Sequence, residues 1–272
     1  MSKLGIIAGE GKFPILIAKE AKTKGEEIFV ICVKDNAKEE DFKPYAAKTT
    51  TLKIGKLGAA LKFFKENEVQ KAVMAGRVEH FNIFNLAADL RATKILASLR
   101  DFRAKSILEA AINEFKKEGI EFQSSSLFLE KFVPQKGILT KRKPTAEEEK
   151  DIELGKNIST TLATLDVGLT SVICDKTVVA VEGMEGTDNC ILRAGEIVAK
   201  NPGKNKFLTV VKVARPQQDD RYDLPIIGKG TIKSMIEARA KVLAVEASKT
   251  IILDIEEVCA LADKNDIAII AF

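Results

Sequence analysis

A chain of 272 residues, 46% hydrophobic and 30% charged, has room for two cores and the balance of a folded protein rather than a disordered one. A net charge of +4 is too small to indicate nucleic-acid binding, and 6% aromatic content without tryptophan argues against a base-stacking surface. Four scattered cysteines and one histidine argue against a structural zinc site, and with neither a signal-peptide pattern nor a run of ~20 apolar residues the expected location is cytoplasmic.

Residues 4–8 read as a short buried strand, followed by a glycine turn at 9–11 and a helix over 13–24 that Pro14 helps to open. Residues 28–33 are apolar throughout, as in the central strand of a parallel sheet. A helix over 57–66, a strand over 71–75 and helices over 87–99 and 106–117 continue the alternation. The pattern predicts a Rossmann-like first domain, residues 1–133, with a mostly parallel sheet.

Pro134, Gly137 and Pro144, with the basic cluster at 141–143, mark a polar linker over 134–146. The second domain, 147–272, is also α/β. A helix over 146–164 with an acidic first turn leads to strands at 171–174 and 178–182, then to a helix over 190–198. A strand at 207–213, a helix over 231–240, strands at 242–245 and 250–253, a helix over 255–264 and a strand at 267–271 complete it. The strings VAVEG at 179–183 and LAVEA at 243–247 are too short to establish an internal duplication.

Three regions carry the chemistry. Gly9 and Gly11 turn the backbone before the first helix, so N–H groups can face an anion; Pro14 stands where a GxGxxG fingerprint needs its third glycine. A tight strand-to-helix connection would need the same turn. Gly76 and Arg77 follow a strand, at the sheet edge where open α/β folds bind ligands, which makes both candidates for substrate or phosphate contact. His80, nearby, is either an acid–base group or polar surface.

The third region joins two polar loops, each leaving an apolar strand. The first, AVEGMEGTD at 180–188, holds Glu182, Thr187 and Asp188; Thr187 or Asp188 also suits a helix N-cap. The second, RPQQDDRYDLPIIG at 215–228, holds Arg215, Gln218, Asp219, Arg221 and Asp223, and its prolines exclude a continuous helix. Carboxylates at Asp188, Asp219 and Asp223 suit a hard divalent cation, while Arg215 or Arg221 suits phosphoryl oxygens. A solvated loop laced by salt bridges has the same composition.

These two blocks, with IAGEGKFP at 7–14, AGRV at 75–78, GILT at 137–140 and DVG at 166–168, resemble the UDP-2,3-diacylglucosamine pyrophosphatase family of the lipid A pathway. The similarity is to the family distinct from the calcineurin-like phosphoesterase type, and it runs nearly end to end. Leu169 departs from the glutamine common after DVG. The resemblance implies hydrolysis of the lipid's pyrophosphate to UMP and 2,3-diacylglucosamine 1-phosphate, with magnesium, or manganese in its place, and two domains enclosing the lipid. It places the catalytic aspartate of the Asp-Leu-Pro block at Asp223, with Asp219 and Arg221 beside it. Asp188, Asp219 and Asp223 are then the expected metal ligands, and Glu182, Thr187, Arg215 and Gln218 the expected substrate contacts. The expected partners are the UDP-linked lipid and, transiently, the inner-membrane surface; a homodimer is left open.

Two acyl chains need an apolar cleft, since each buried methylene contributes about 0.8 kcal/mol. Residues 226–240 and 122–132 are candidates to line it, or else ordinary core. Rival readings are a nucleotide-dependent oxidoreductase or transferase built on the glycine turn, and a lipid-binding module without catalysis.

Overall fold

The computed structural model describes residues 2–78, 88–99, 101–102, 104–200, 207–216, 221 and 224–272. The chain divides into two compact units, the first built on Met1–Leu129 and Asp220–Tyr222 and the second on Glu130–Asp219 and Asp223–Phe272.

The first unit contains β1 (Lys3–Ala8), α1 (Lys12–Thr23), β2 (Glu27–Val33), β3 (Ala46–Leu52), α2 (Leu57–Glu66), β4 (Lys71–Ala75), α3 (Leu90–Ser98), α4 (Ala104–Lys117) and β5 (Glu121–Phe122). Its described strands lie in the order β3-β2-β1-β4-β5 with every neighbouring pair parallel. This is the Rossmann order, with the strand sequence reversing between β1 and β4. The apolar runs of β1 and β2 occupy the centre because parallel strands are covered on both faces.

Helix α2 comes so close to β1 that a Cβ on Gly5 would lie 2.7 Å from the Phe64 ring. Phe64 meets Phe115 at 6.0 Å between centroids, and Phe115 meets Phe122 edge-on at 5.1 Å, which ties α2 and α4 to the sheet. β3 was not expected. Its sequence, AAKTTTL, lacks apolar alternation, but β-branched threonines suit a half-exposed edge strand.

The second unit contains β6 (Gly137–Ile138), α5 (Ala146–Thr164), β7 (Thr170–Cys174), β8 (Thr177–Val181), α6 (Thr187–Ala199), β9 (Leu208–Lys212), β10 (Ile226–Ile227), α7 (Lys229–Glu237), β11 (Ala240–Val245), β12 (Ile251–Ile252), α8 (Ile255–Lys264) and β13 (Ala268–Ala271). The described strands form a mixed sheet in the order β6-β13-β11-β9-β7-β8 and a small parallel pair, β10-β12. β6 arises inside the segment read as a linker and pairs antiparallel with β13.

Helices cover both faces. Ile152 of α5 packs with Val211, Val242, Ala244 and Ala268 on one side. On the other, Ile191, Ile232, Met235 and Val258 pack with Val172, Val210, Leu243 and Ile269. Alternate residues of β9 and β11 therefore serve opposite cores. Helix α5 opens with a capping box, Thr145 with Glu148, and a Cβ on Gly155 would sit 2.4 Å from a Val211 methyl.

The bounds of one helix need correction. The helix expected over 231–240 ends at Glu237; Arg239 turns the chain at φ +57°, and Ala240 opens β11. Residues 226–240 therefore span β10, α7 and the start of β11, and Ile227, Ile232 and Met235 belong to the core. In the other stretch considered for the lipid, Phe122, Phe128 and Leu129 are buried and Leu127 is exposed.

Candidate active site

The second unit gathers its polar groups at one sheet edge. β7 runs antiparallel to β8 and β9, and β11 runs parallel to β9, so the ends of β8, β9 and β11 lie beside the beginning of β7. Glu182 follows β8, Lys212 closes β9 and Glu246 follows β11.

Lys212 is buried at 5% exposure and donates from Nζ to Thr187 Oγ1 at 2.6 Å. The same ammonium lies 3.9 Å from Glu182 Oε2. Thr187 Oγ1 donates to Glu182 Oε1 at 2.9 Å, and the Leu169 backbone N–H donates to Glu182 Oε2 at 3.3 Å. A buried carboxylate, a buried ammonium and a hydroxyl are thus linked. At position 169 the backbone makes this contact.

Thr187 and Asp188 lie in the first turn of α6, so neither is the N-cap that the sequence suggested. Gly186 holds that place at φ +80°, with no side-chain cap. Asp188 is half-buried beside the first turn of α7, where a Cβ on Gly230 would lie 3.3 Å from its carboxylate. Glu185 accepts from Arg193 at 2.5 Å, and that hydrogen bond is the main reason its carboxyl is held below the usual range. Arg193 also donates to the Val181 carbonyl at 2.9 Å, which fastens the 182–186 turn to α6.

Arg215 pairs with Asp166, Nε to Oδ1, at 2.9 Å. Just before it, the Ala214 N–H donates to Glu246 Oε2 at 2.9 Å, so Glu246 anchors the start of the acidic loop. Arg221 lies half-buried in a turn. Gln218, Asp219 and Asp223, and His80 of the first unit, lie outside the described residues.

In the first unit, Gly9, Gly76 and Arg77 come together. Glu10 N–H donates to the Arg77 carbonyl at 2.7 Å and Arg77 N–H returns a bond to the Glu10 carbonyl at 3.0 Å. The two loops clasp so closely that a Cβ on Gly76, at φ +91°, would lie 2.7 Å from the Gly9 carbonyl carbon. The Arg77 residue is exposed, and Gly11, at φ +102°, precedes α1 without a side-chain cap.

Sequence reasoning missed Lys212 and Glu246. The available signals were a lysine inside a buried apolar run, 210–214, and the repeated strand-then-glutamate string shared by 179–183 and 243–247. Among the described residues no group of three or more His, Cys, Asp or Glu side chains is placed to hold a metal ion, and no helix is long and apolar enough to cross a membrane.

A Rossmann-type unit followed by a mixed α/β unit with a charged strand edge defines the class of two-domain α/β protein. Residues 3–132 match the LpxI N-terminal domain and residues 135–270 the LpxI C-terminal domain, so the chain belongs to the LpxI family. It is 29% identical over 269 residues to UDP-2,3-diacylglucosamine pyrophosphatase LpxI of Caulobacter vibrioides, covering 97% of this chain and 95% of that protein. Among solved structures, glycinamide-RNase-transformylase T from Mycobacterium tuberculosis aligns at TM-score 0.25 and 11% identity, over 66% of this chain and 44% of that one. The ADP complex of N5-carboxyaminoimidazole ribonucleotide synthetase aligns at TM-score 0.28 and 12% identity, over 88% and 44%. The chain spans less than half the length of those two proteins, and likenesses this low carry no argument.

Proposed function

We propose that this chain hydrolyses the pyrophosphate bond of UDP-2,3-diacylglucosamine to give UMP and 2,3-diacylglucosamine 1-phosphate. The observation that carries the reading is the match of both domains, in order, to the LpxI family, together with 97% coverage in the alignment to the Caulobacter enzyme.

The chemistry falls to the edge formed by 182–188 and the loop after β9. Arg215 and Arg221 bind phosphoryl oxygens, and Gly9, Gly76 and Arg77 are further proposed substrate contacts. Asp223, with Asp219, orients the attacking water and takes its proton as oxygen bonds to the glucosamine-side phosphorus. The bridging P–O bond breaks and UMP leaves. A divalent cation suits this donor set, because magnesium is commonly held by one or two carboxylates plus substrate phosphates. Asp188, half-buried beside Gly230, fits such a role, with Asp219 as a further ligand and Asp223 outside the metal shell as the base. When bound, the cation neutralises charge developing on the pyrophosphate.

A diacylated substrate also entails loading at the inner-membrane surface, which the lysine-rich exterior of a chain of net charge +4 favours electrostatically. The test is release of UMP from the UDP-lipid in magnesium, its loss on chelation and its return with magnesium or manganese. Folded protein that releases no UMP overturns the reading. Full activity in chelator overturns the metal requirement.

A further inference from the structure

We propose that Lys212 is a positioning residue for this hydrolysis: its buried ammonium fixes the first turn of α6, and with it Asp188, to the strand from which the acidic loop departs. The inference rests on the pyrophosphate-hydrolysis reading above and assigns a further residue to the same site.

Lysine is seldom fully buried unless paired, and withdrawing an ammonium from water costs several kcal/mol before any partner offsets it. At 5% exposure, Lys212 ends a strand whose preceding residues Val210 and Val211 serve opposite apolar cores. An apolar side chain of similar length would continue that burial without the penalty, so folding of β9 does not call for a charge here.

What the charge does is local and connective. Nζ holds Thr187 Oγ1 at 2.6 Å and stands 3.9 Å from Glu182, while Glu182 receives Thr187 at 2.9 Å and the Leu169 N–H at 3.3 Å. Three segments are thereby joined: the chain entering β7, the turn leaving β8, and the first turn of α6. Asp188 is the next residue after Thr187, and Arg215 lies three residues after Lys212. Thr187 has one proton and gives it to Glu182. On this assignment Glu182 and Thr187 act within the protein, through Lys212, rather than on the phosphate as the sequence suggested.

The test compares wild type, Lys212→Met, Thr187→Val and the double variant, with UMP release in saturating magnesium and folding followed by circular dichroism. Misplacement of a site by about 1 Å can cost on the order of 10²-fold in rate, so Lys212→Met is expected to lose roughly 10- to 100-fold in kcat with KM within about threefold of wild type. Because the two side chains act as one unit, the double variant should be no slower than Lys212→Met. Thr187→Val removes only the hydroxyl and tests the same link should Lys212→Met not fold. A folded Lys212→Met or Thr187→Val protein with wild-type kcat, or losses that multiply in the double variant, overturns the positioning role. Wild type that releases no UMP overturns the reaction reading and this inference with it; active wild type beside active variants overturns this inference alone.

Discussion

Gly168 faces the backbone of Glu182 with room for hydrogen alone: a Cβ there would stand 2.1 Å from the Glu182 carbonyl oxygen. The glycine before β7 therefore sets how closely the 165–169 turn approaches the end of β8. That approach brings the Leu169 N–H to the Glu182 carboxylate.

Gly168→Ala should consequently disturb the site through the backbone. Overpacking of this kind costs about 1–3 kcal/mol, so thermal unfolding is expected at lower temperature and kcat should fall, because Glu182 no longer meets Thr187 and Lys212. Unchanged melting and turnover would mean that the turn relaxes freely.

Acid should weaken the fold through the edge of the first sheet. Glu39 is held below its ordinary 4.5, first by the hydrogen bond from Thr49 and then by that from Thr51, at 2.5 and 2.6 Å. A carboxylate depressed on folding contributes stability that is fully present above its unfolded value and is lost as pH falls through the folded one. Glu39→Gln should melt below wild type at pH 7, and the gap should close as pH drops below the ordinary glutamate value. An equal gap at every pH contradicts the assignment.

In the cysteines the shift has the opposite direction and a different cause. Burial pushes the Cys32 and Cys190 thiols up to about 12, leaving almost no thiolate at neutral pH. Cys259, only partly buried and raised less, should be alkylated first in native protein. Mass spectrometry of briefly labelled protein checks the order; early modification of Cys32 or Cys190 would contradict it.

What the sequence disclosed follows from how strongly each residue's surroundings mark it. α2, α8 and β4 have the expected bounds because their apolar periodicity marks them, and α5 because its Thr145–Glu148 capping box and acidic first turn mark its start. β3, an edge strand of alanine, lysine and threonine, carries no such period. The candidate residues Glu182 and Thr187 were legible as polar groups after a strand, and they meet in space. Their partner Lys212 was not, since the head group of a strand lysine ordinarily reaches solvent, and only the pairing across β8, β9 and α6 reveals its burial. The start of α6 differs from the expected one because Gly186, at φ +80° and without a side-chain cap, stands where a capping side chain was expected.

Asp223 bears the chemical step in this account. Asp223→Asn retains nearly the same volume and loses the charge, so single-turnover hydrolysis should slow by roughly 10²-fold or more, the range for loss of a general base. Lipid binding, measured beside it, should persist. Near-normal hydrolysis would remove Asp223 from the reaction.

The most direct measurement is hydrolysis of the UDP-lipid in isotopically labelled water, with both products analysed by mass spectrometry. Attack on the glucosamine-side phosphorus puts the label in 2,3-diacylglucosamine 1-phosphate and leaves UMP unlabelled. Label confined to UMP, or intact substrate after incubation with folded protein and magnesium, would contradict the mechanism at its centre.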